Sequence, residues 1–216
     1  MKPRALDLFC CAGGASRGLQ LAGYHVTGVD LVASKNYIGD AFVQADAMSF
    51  DLAGFDFIWA SPPCQRFSTI AKQAGVAGKY PDFIGVLREA LKSTAAIWAI
   101  ENVPGAPLNG FRLCGSMFGL GVRRHRVVET NFPWQPPKCR HTEQPYPIDV
   151  SGNGGPRRRP MARDPKDGGN TRKPEDLAEA RAAMGIDWMT RRELSQAIPP
   201  DYSLYVARCA SAGRPQ

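Results

Sequence analysis

The first thirty residues restrict the fold more than any other stretch of this chain. Ala5-Leu6-Asp7-Leu8-Phe9 reads as a short strand, and Cys10 to Ala15 as a turn holding Gly13 and Gly14. Ser16 to Ala22 reads as a helix that ends near Gly23. His25 to Val29 is a second strand, with Asp30 at its end. Such a β-turn-α-β unit brings a ligand to the carboxyl edge of a sheet. The glycines let the ligand approach the backbone, and an acid after the second strand accepts hydrogen bonds from ribose hydroxyls. No Gly-Lys-Ser/Thr follows, so the turn is not a P-loop. A clean G-x-G-x-x-G is also missing, which disfavours a dinucleotide pyrophosphate.

A nucleoside without phosphates, such as S-adenosylmethionine, fits this unit better. The alternative for Asp30 is a helix N-cap. Phe42-Val43-Gln44 predicts a third strand with Asp46 beyond it, and Asp56 to Ala60 a fourth. A helix is expected from Asp82 to Ser93, with Phe83, Val86, Leu87, Ala90 and Leu91 at helical spacing. The fifth strand lies within Thr94–Ile100 and runs into Glu101-Asn102-Val103-Pro104. Strands alternating with helices predict an α/β protein with a parallel, doubly wound sheet. Gly110 to Gly121 should hold turns and short pieces, and Val122 to Thr130 a strand dense in basic residues. From Asn131 to Lys173 the chain turns rich in proline, glycine and arginine and poor in apolar periodicity, which reads as a loop-rich insert. Helices return from Pro174 to Met184 and from Pro200 to Ala210.

One cysteine stands out by its place. Cys64 follows Pro62-Pro63, whose rings stiffen the backbone, and it lies just past the fourth strand, on the edge where open α/β sheets bind ligands. A buried structural cysteine in a proline turn is the alternative. Gln65 to Gly78, with Gly75 and Gly78 as hinges, suits a loop that closes over a substrate.

At 216 residues the chain is long enough for one domain with a full core. No apolar run approaches the ~20 residues that span a bilayer. The start, Met1-Lys2-Pro3-Arg4, does not read as a secretion signal. The six cysteines show no disulfide framework, so reduced thiols and a cytoplasmic location are expected. Cys139-Arg140-His141, with Cys114 distant and Cys209 more so, is not a metal-finger spacing, and no metal is expected. The net charge of +7 favours an anionic partner, nucleic acid first. Arg157, Arg158, Arg159, Arg163, Lys166, Arg172 and Lys173 crowd one segment.

Together these pieces resemble the DNA (cytosine-5)-methyltransferases, in the family's order along nearly the whole chain. Asp7-Leu8-Phe9-Cys10-Cys11-Ala12-Gly13-Gly14 resembles the cofactor loop, and Asp30 and Asp46 the acids that bind ribose and adenine. Pro62-Pro63-Cys64-Gln65 with Phe67-Ser68 resembles the nucleophile loop, and Glu101-Asn102-Val103 the second catalytic motif. Arg124-His125-Arg126 resembles the paired-arginine motif, Ala183-Met184-Gly185-Ile186 the segment after the recognition region, and Ala197-Ile198-Pro199-Pro200 the closing motif. Three positions depart. Cys11 stands where glycine is usual, Val122 where glutamine is favoured, and Gln196 where asparagine is usual. The insert is also shorter than in typical members, as in small phage-encoded ones.

The resemblance implies a doubly wound, Rossmann-like S-adenosylmethionine-dependent methyltransferase fold. The catalytic body would be residues 1–130 and 174–216, and the target-recognition insert 131–173. It implies S-adenosyl-L-methionine bound by Phe9, Cys11, Ala12, Gly13, Gly14, Asp30, Leu31, Asp46, Ala47, Pro62, Ala197 and Ile198. Cys64 would be the nucleophile, Glu101 would hold N3 and the exocyclic amine, Arg126 the O2 side of the base, and Arg124 a phosphate or the loop. Gln65, Arg66, Ser68, Arg157, Arg158, Arg159 and Arg163 would touch DNA, with Arg66 or the Arg124/Arg126 pair making the thiol's setting electropositive. The partner implied is double-stranded DNA, with no membrane and no obligate protein partner, for a monomer in the cytoplasm. Two alternatives from other classes are a tRNA cytosine-5 methyltransferase and a catalytically silent DNA-binding relative.

Overall fold

The computed structural model describes residues 1–68, 73, 75–152, 163–164 and 169–212. A seven-stranded sheet forms its centre, from β1 (Arg4–Leu8), β2 (His25–Asp30), β3 (Ala41–Gln44), β4 (Phe57–Ala60), β5 (Ile97–Asn102), β6 (Phe111–Leu113) and β7 (Arg126–Thr130). The strand order is β3-β2-β1-β4-β5-β7-β6. β1 to β5 pair in parallel, as expected. β7 is antiparallel to both β5 and β6, so the sheet is mixed rather than wholly parallel. The helices are α1 (Gly14–Leu21), α2 (Ile84–Lys92), α3 (Leu177–Met184), α4 (Arg191–Gln196) and α5 (Pro200–Ala212). Two-residue strands β8 (Arg163–Asp164) and β9 (Gly169–Asn170) form a separate antiparallel pair.

Central strands buried on both faces read as continuous apolar runs, and β4, Phe-Ile-Trp-Ala, is buried at every position. Its side chains alternate between two cores. Phe57 and Trp59 join Leu19 of α1 and Tyr202 and Val206 of α5 on one face. Ile58 and Ala60 join Leu87 and Leu91 of α2 with Leu6, Leu8 and Ile100 on the other. A third core gathers Ala12, Val122, Val150, Met184, Leu194 and Ala197 beyond the sheet edge. Arg88 of α2 grips Glu129 of β7 with two bonds, of 2.6 and 2.8 Å, and this ties the antiparallel strand to the helix layer.

Several boundaries differ from the sequence reading. The strand expected over Val122–Thr130 begins only at Arg126, because Arg124 takes a left-handed φ of 37° and breaks the extended run. α3 starts at Leu177 rather than Pro174, where the Asp176 side chain accepts from the Glu179 amide as N-cap. α4 was not anticipated, although Thr190 and Glu193 form a capping box that is legible as Thr-x-x-Glu. The connection from β2 to β3 contains no helix. In the stretch read as a loop-rich insert, Trp134 is buried against Phe111 and Tyr205, and Val150 lies in the third core. No helix among the described residues is long and apolar enough to cross a membrane.

Candidate active site

The carboxyl ends of β1, β2, β4 and β5 converge on one edge of the sheet, and each delivers one part of the site. Past β4 the chain enters Ser61-Pro62-Pro63-Cys64. A turn opens at the cysteine, with the amides of Phe67 and Ser68 both donating to the Cys64 carbonyl, at 3.0 and 2.9 Å. Cys64 is half-buried and free, as the position after two prolines predicts. The buried Asn102 amide donates to the Pro62 carbonyl at 2.9 Å, and its Oδ1 accepts from the Val103 amide at 2.9 Å. Asn102 thus clamps the cysteine loop onto the end of β5, beside Glu101. Sequence reading quoted Asn102 only as part of a motif.

Glu101 is buried, and burial pushes its carboxyl above the usual range, with Arg126 pulling the other way. Arg126 Nε lies 2.9 Å from Glu101 Oε1, while that oxygen has no aligned hydrogen bond. The ion pair therefore holds the carboxyl in place and leaves a polar atom uncommitted at a buried site. Arg126 also donates to the His125 carbonyl at 2.8 Å. Arg124 turns away from the sheet and donates to the carbonyls of Ala197 and Ser195 at 2.8 and 2.9 Å. These bonds tie Arg124 to the closing motif. Its own carbonyl, 2.9 Å from the Tyr202 hydroxyl, accepts a bond that fixes the strained backbone. Burial and the neighbouring Arg126 lower the Arg124 guanidinium to about 9, still cationic at neutral pH. Arg66, the other candidate cation, is engaged elsewhere, donating to the Tyr80 carbonyl at 2.7 Å and lying 4.0 Å from Asp82. Gln65 is exposed, and Ser68 donates to its carbonyl at 3.3 Å.

Residues 4–109 match the family model described as C-5 cytosine-specific DNA methylase. That match, over just under half of the chain, supports the DNA cytosine-5-methyltransferase family. The type II methyltransferase M.NgoFVII of Neisseria gonorrhoeae is 25% identical over 186 residues, covering 66% of this chain and 48% of that protein. The chain thus spans about half the length of this curated relative. The S. pombe Dnmt2 methyltransferase structure aligns with a TM-score of 0.58 at 14% identity, over 98% of this chain and 99% of that one. The Entamoeba histolytica methyltransferase EhMeth aligns with a TM-score of 0.58 at 12% identity, over the full length of both. These two likenesses show the methyltransferase fold.

The methyltransferase's cofactor is S-adenosyl-L-methionine. Its loop after β1 fits a ligand that comes close to the backbone, since Phe9, Cys11 and Gly13 all take left-handed φ values of 62, 50 and 82°. Cys11 stands where the resemblance expects glycine, and its φ lies in the region that favours glycine. Asp30 steadies it, accepting from the Cys11 amide at 2.9 Å and from the Val32 amide at 3.1 Å. No helix follows Asp30, so the N-cap alternative is not realised. Leu31 is exposed beside it, Asp46 is exposed across the same edge, and Ala47 is buried behind. The closing motif packs on this loop. A Cβ at Gly14 would stand 2.3 Å from the Ile198 carbonyl oxygen, so only glycine permits that approach. Trp188 Nε1 donates to the Ala12 carbonyl at 2.9 Å, a contact the sequence did not signal. Val122 is buried in the third core and offers no polar group where the family favours glutamine, while Gln196 is exposed at the end of α4.

The recognition residues are described only in part. Arg157, Arg158, Arg159 and the side chain of Arg163 lie outside the described residues, as do residues 69–72 and 74 of the Gln65–Gly78 loop. Two cations of the basic segment are engaged internally, Arg172 with Glu179 and Lys173 with Asp149.

Proposed function

We propose that this chain methylates carbon 5 of cytosine in DNA through a covalent adduct on Cys64. The observation that carries the reading is the Asn102–Pro62 bond, which fastens the cysteine loop beside the buried Glu101–Arg126 pair. Carbon 5 of cytosine is a weak nucleophile. The Cys64 thiolate forms an S–C6 bond, and the C5=C6 electron pair moves into the ring while Glu101, whose carboxyl burial biases toward the protonated form, donates to N3. Arg126 faces the O2 side of the base, and Arg124 holds the closing loop and adds positive potential near the thiolate. The 9–14 loop, Asp30, Asp46 and the Ala197–Ile198 segment would hold S-adenosyl-L-methionine, which would supply an electrophilic methyl group to C5 and leave as S-adenosyl-L-homocysteine. Loss of the C5 proton to a base then restores the double bond, expels the Cys64 thiolate and returns the N3 proton to Glu101.

Carbon 6 is hidden in a duplex, so the target base is flipped out, at about a few kcal/mol. Residues 131–173 form the target-recognition insert, whose arginines contact phosphates. Such contacts give affinity but little sequence information, so the target is a short one.

The test is expression in bacteria without cytosine methylation of their own, followed by bisulfite sequencing of the genome, with Cys64→Ala alongside. Protected cytosines that vanish in the variant are expected. A folded, cofactor-binding protein that protects no cytosine, or that labels tRNA in place of DNA, would overturn the DNA reading.

A further inference from the structure

The β6–β7 hairpin and the loop after it bring together four metal-ligating side chains that lie far apart in sequence. The last pair of the hairpin is Leu113↔Arg126, so the next step of the same antiparallel register sets Cys114 opposite His125. The chain leaves β7, passes Trp134, and returns in a short 3-10 turn, His141–Glu143, which brings Cys139 and His141 to the same point. The four ligand atoms all lie within 4.8 Å of one another. Cys114 Sγ is 3.2 Å from His141 Nε2, and His141 Nε2 is 3.3 Å from His125 Nε2.

Two of these separations are close to those of a coordination shell. With Zn–N near 2.0–2.1 Å and Zn–S near 2.3 Å, a tetrahedral ion sets ligand atoms about 3.3–3.8 Å apart. The observed nitrogen–nitrogen distance falls in that range, and the sulfur–nitrogen distance falls just short of it. Hydrogen bonding alone explains the convergence less well. His141 Nε2 faces both a thiol and a second imidazole nitrogen, and a neutral ring nitrogen carries one proton or one lone pair, not both. A disulfide would use the two sulfurs and leave the two imidazoles unexplained. Ser116 holds the set from outside. Ser116 Oγ lies 3.1 Å from Cys114 Sγ and accepts from the Arg140 amide at 3.1 Å. Ligating groups are held by such outer partners in metal sites.

We propose that Cys114, His125, Cys139 and His141 bind one structural zinc ion. Two thiolates and two imidazoles in a tetrahedral set select zinc, and four protein ligands close the shell against catalysis. His125 sits between Arg124 and Arg126, so the ion braces the arginine motif from behind. It also joins residues 139–141 to the catalytic sheet, where Arg123 already donates to the Gln144 carbonyl at 3.1 Å. The inference rests on these four side chains and not on the substrate, so it stands apart from the DNA reading.

The experiment is metal analysis of the full chain, purified without chelator, by plasma mass spectrometry. About one zinc per chain is expected, falling at least about tenfold in Cys139→Ser/His141→Ala and unchanged in Cys209→Ser. Should the double variant fail to fold, cobalt(II) loading of the wild-type chain decides. A tetrahedral site gives the intense visible bands and sulfur-to-metal charge transfer of a thiolate complex. A metal-free protein that takes up no cobalt overturns the proposal, as does zinc content that survives the double substitution, or iron in zinc's place.

Discussion

Asp7 lies under the cofactor loop, and replacing it with asparagine should make the protein more stable as pH rises. Asp7 is buried, its Oδ2 accepts from Ser16 Oγ at 2.6 Å, and its Oδ1 has no hydrogen-bond partner. Burial raises this carboxyl from 3.8 to about 7, with the charges of Asp30 and Glu101 adding to the effect. The folded state therefore binds the proton more tightly than the unfolded chain. That stability is complete below pH 3.8 and is lost as pH rises toward 7. Each unit of pH between those values costs about 1.4 kcal/mol, so the span from pH 5 to 7 removes about 2–3 kcal/mol. Asn at this position keeps an acceptor for Ser16 and carries no charge. Urea unfolding of both proteins at fixed ionic strength, from pH 5 to 7.5, isolates the term as the difference between them. That difference should move in favour of Asp7→Asn by about 2–3 kcal/mol across the range. A difference that stays flat, or moves the other way, would refute the argument that an ionised Asp7 is resisted by the fold.

Three further outcomes follow from the site. Glu101→Gln keeps the shape but cannot donate a carboxyl proton, so single-turnover methylation should fall about 10²–10³-fold while the circular dichroism spectrum is retained. Arg124→Lys exchanges a planar fork on two carbonyls for one ammonium, so the closing loop should loosen. Steady-state kinetics should show KM for S-adenosyl-L-methionine rising about tenfold, with kcat changed less. Gly14→Ala places a methyl group 2.3 Å from the Ile198 carbonyl oxygen, so the loop and the closing motif must part. Thermal unfolding and calorimetric titration should register a loss of about 1–3 kcal/mol and weaker cofactor binding.

The sequence determined the parts that depend on local order. The β-turn-α-β opening, the five parallel strands and the strand-end positions of Asp30, Cys64 and Glu101 were legible because period and turn chemistry act over a few residues. Pro62-Pro63 announced a stiff loop by the same local physics. The long-range pairings were settled by the tertiary structure alone. Antiparallel β7 inserts between β5 and β6, and no local signal in Val122–Thr130 says which way the strand runs or that Arg124 interrupts it. Arg124 reads as a motif cation in one dimension and ends on the carbonyls of residues 195 and 197, 71 and 73 positions away. Trp134 looked like part of a loop and is core, because burial depends on what α5 and β6 bring to meet it. The spacing of Cys114, His125, Cys139 and His141 matches no finger motif, yet an antiparallel register and one return turn collect all four within 4.8 Å. Ligand geometry is set by distance in space, and sequence spacing reports it only when the ligands share one short element.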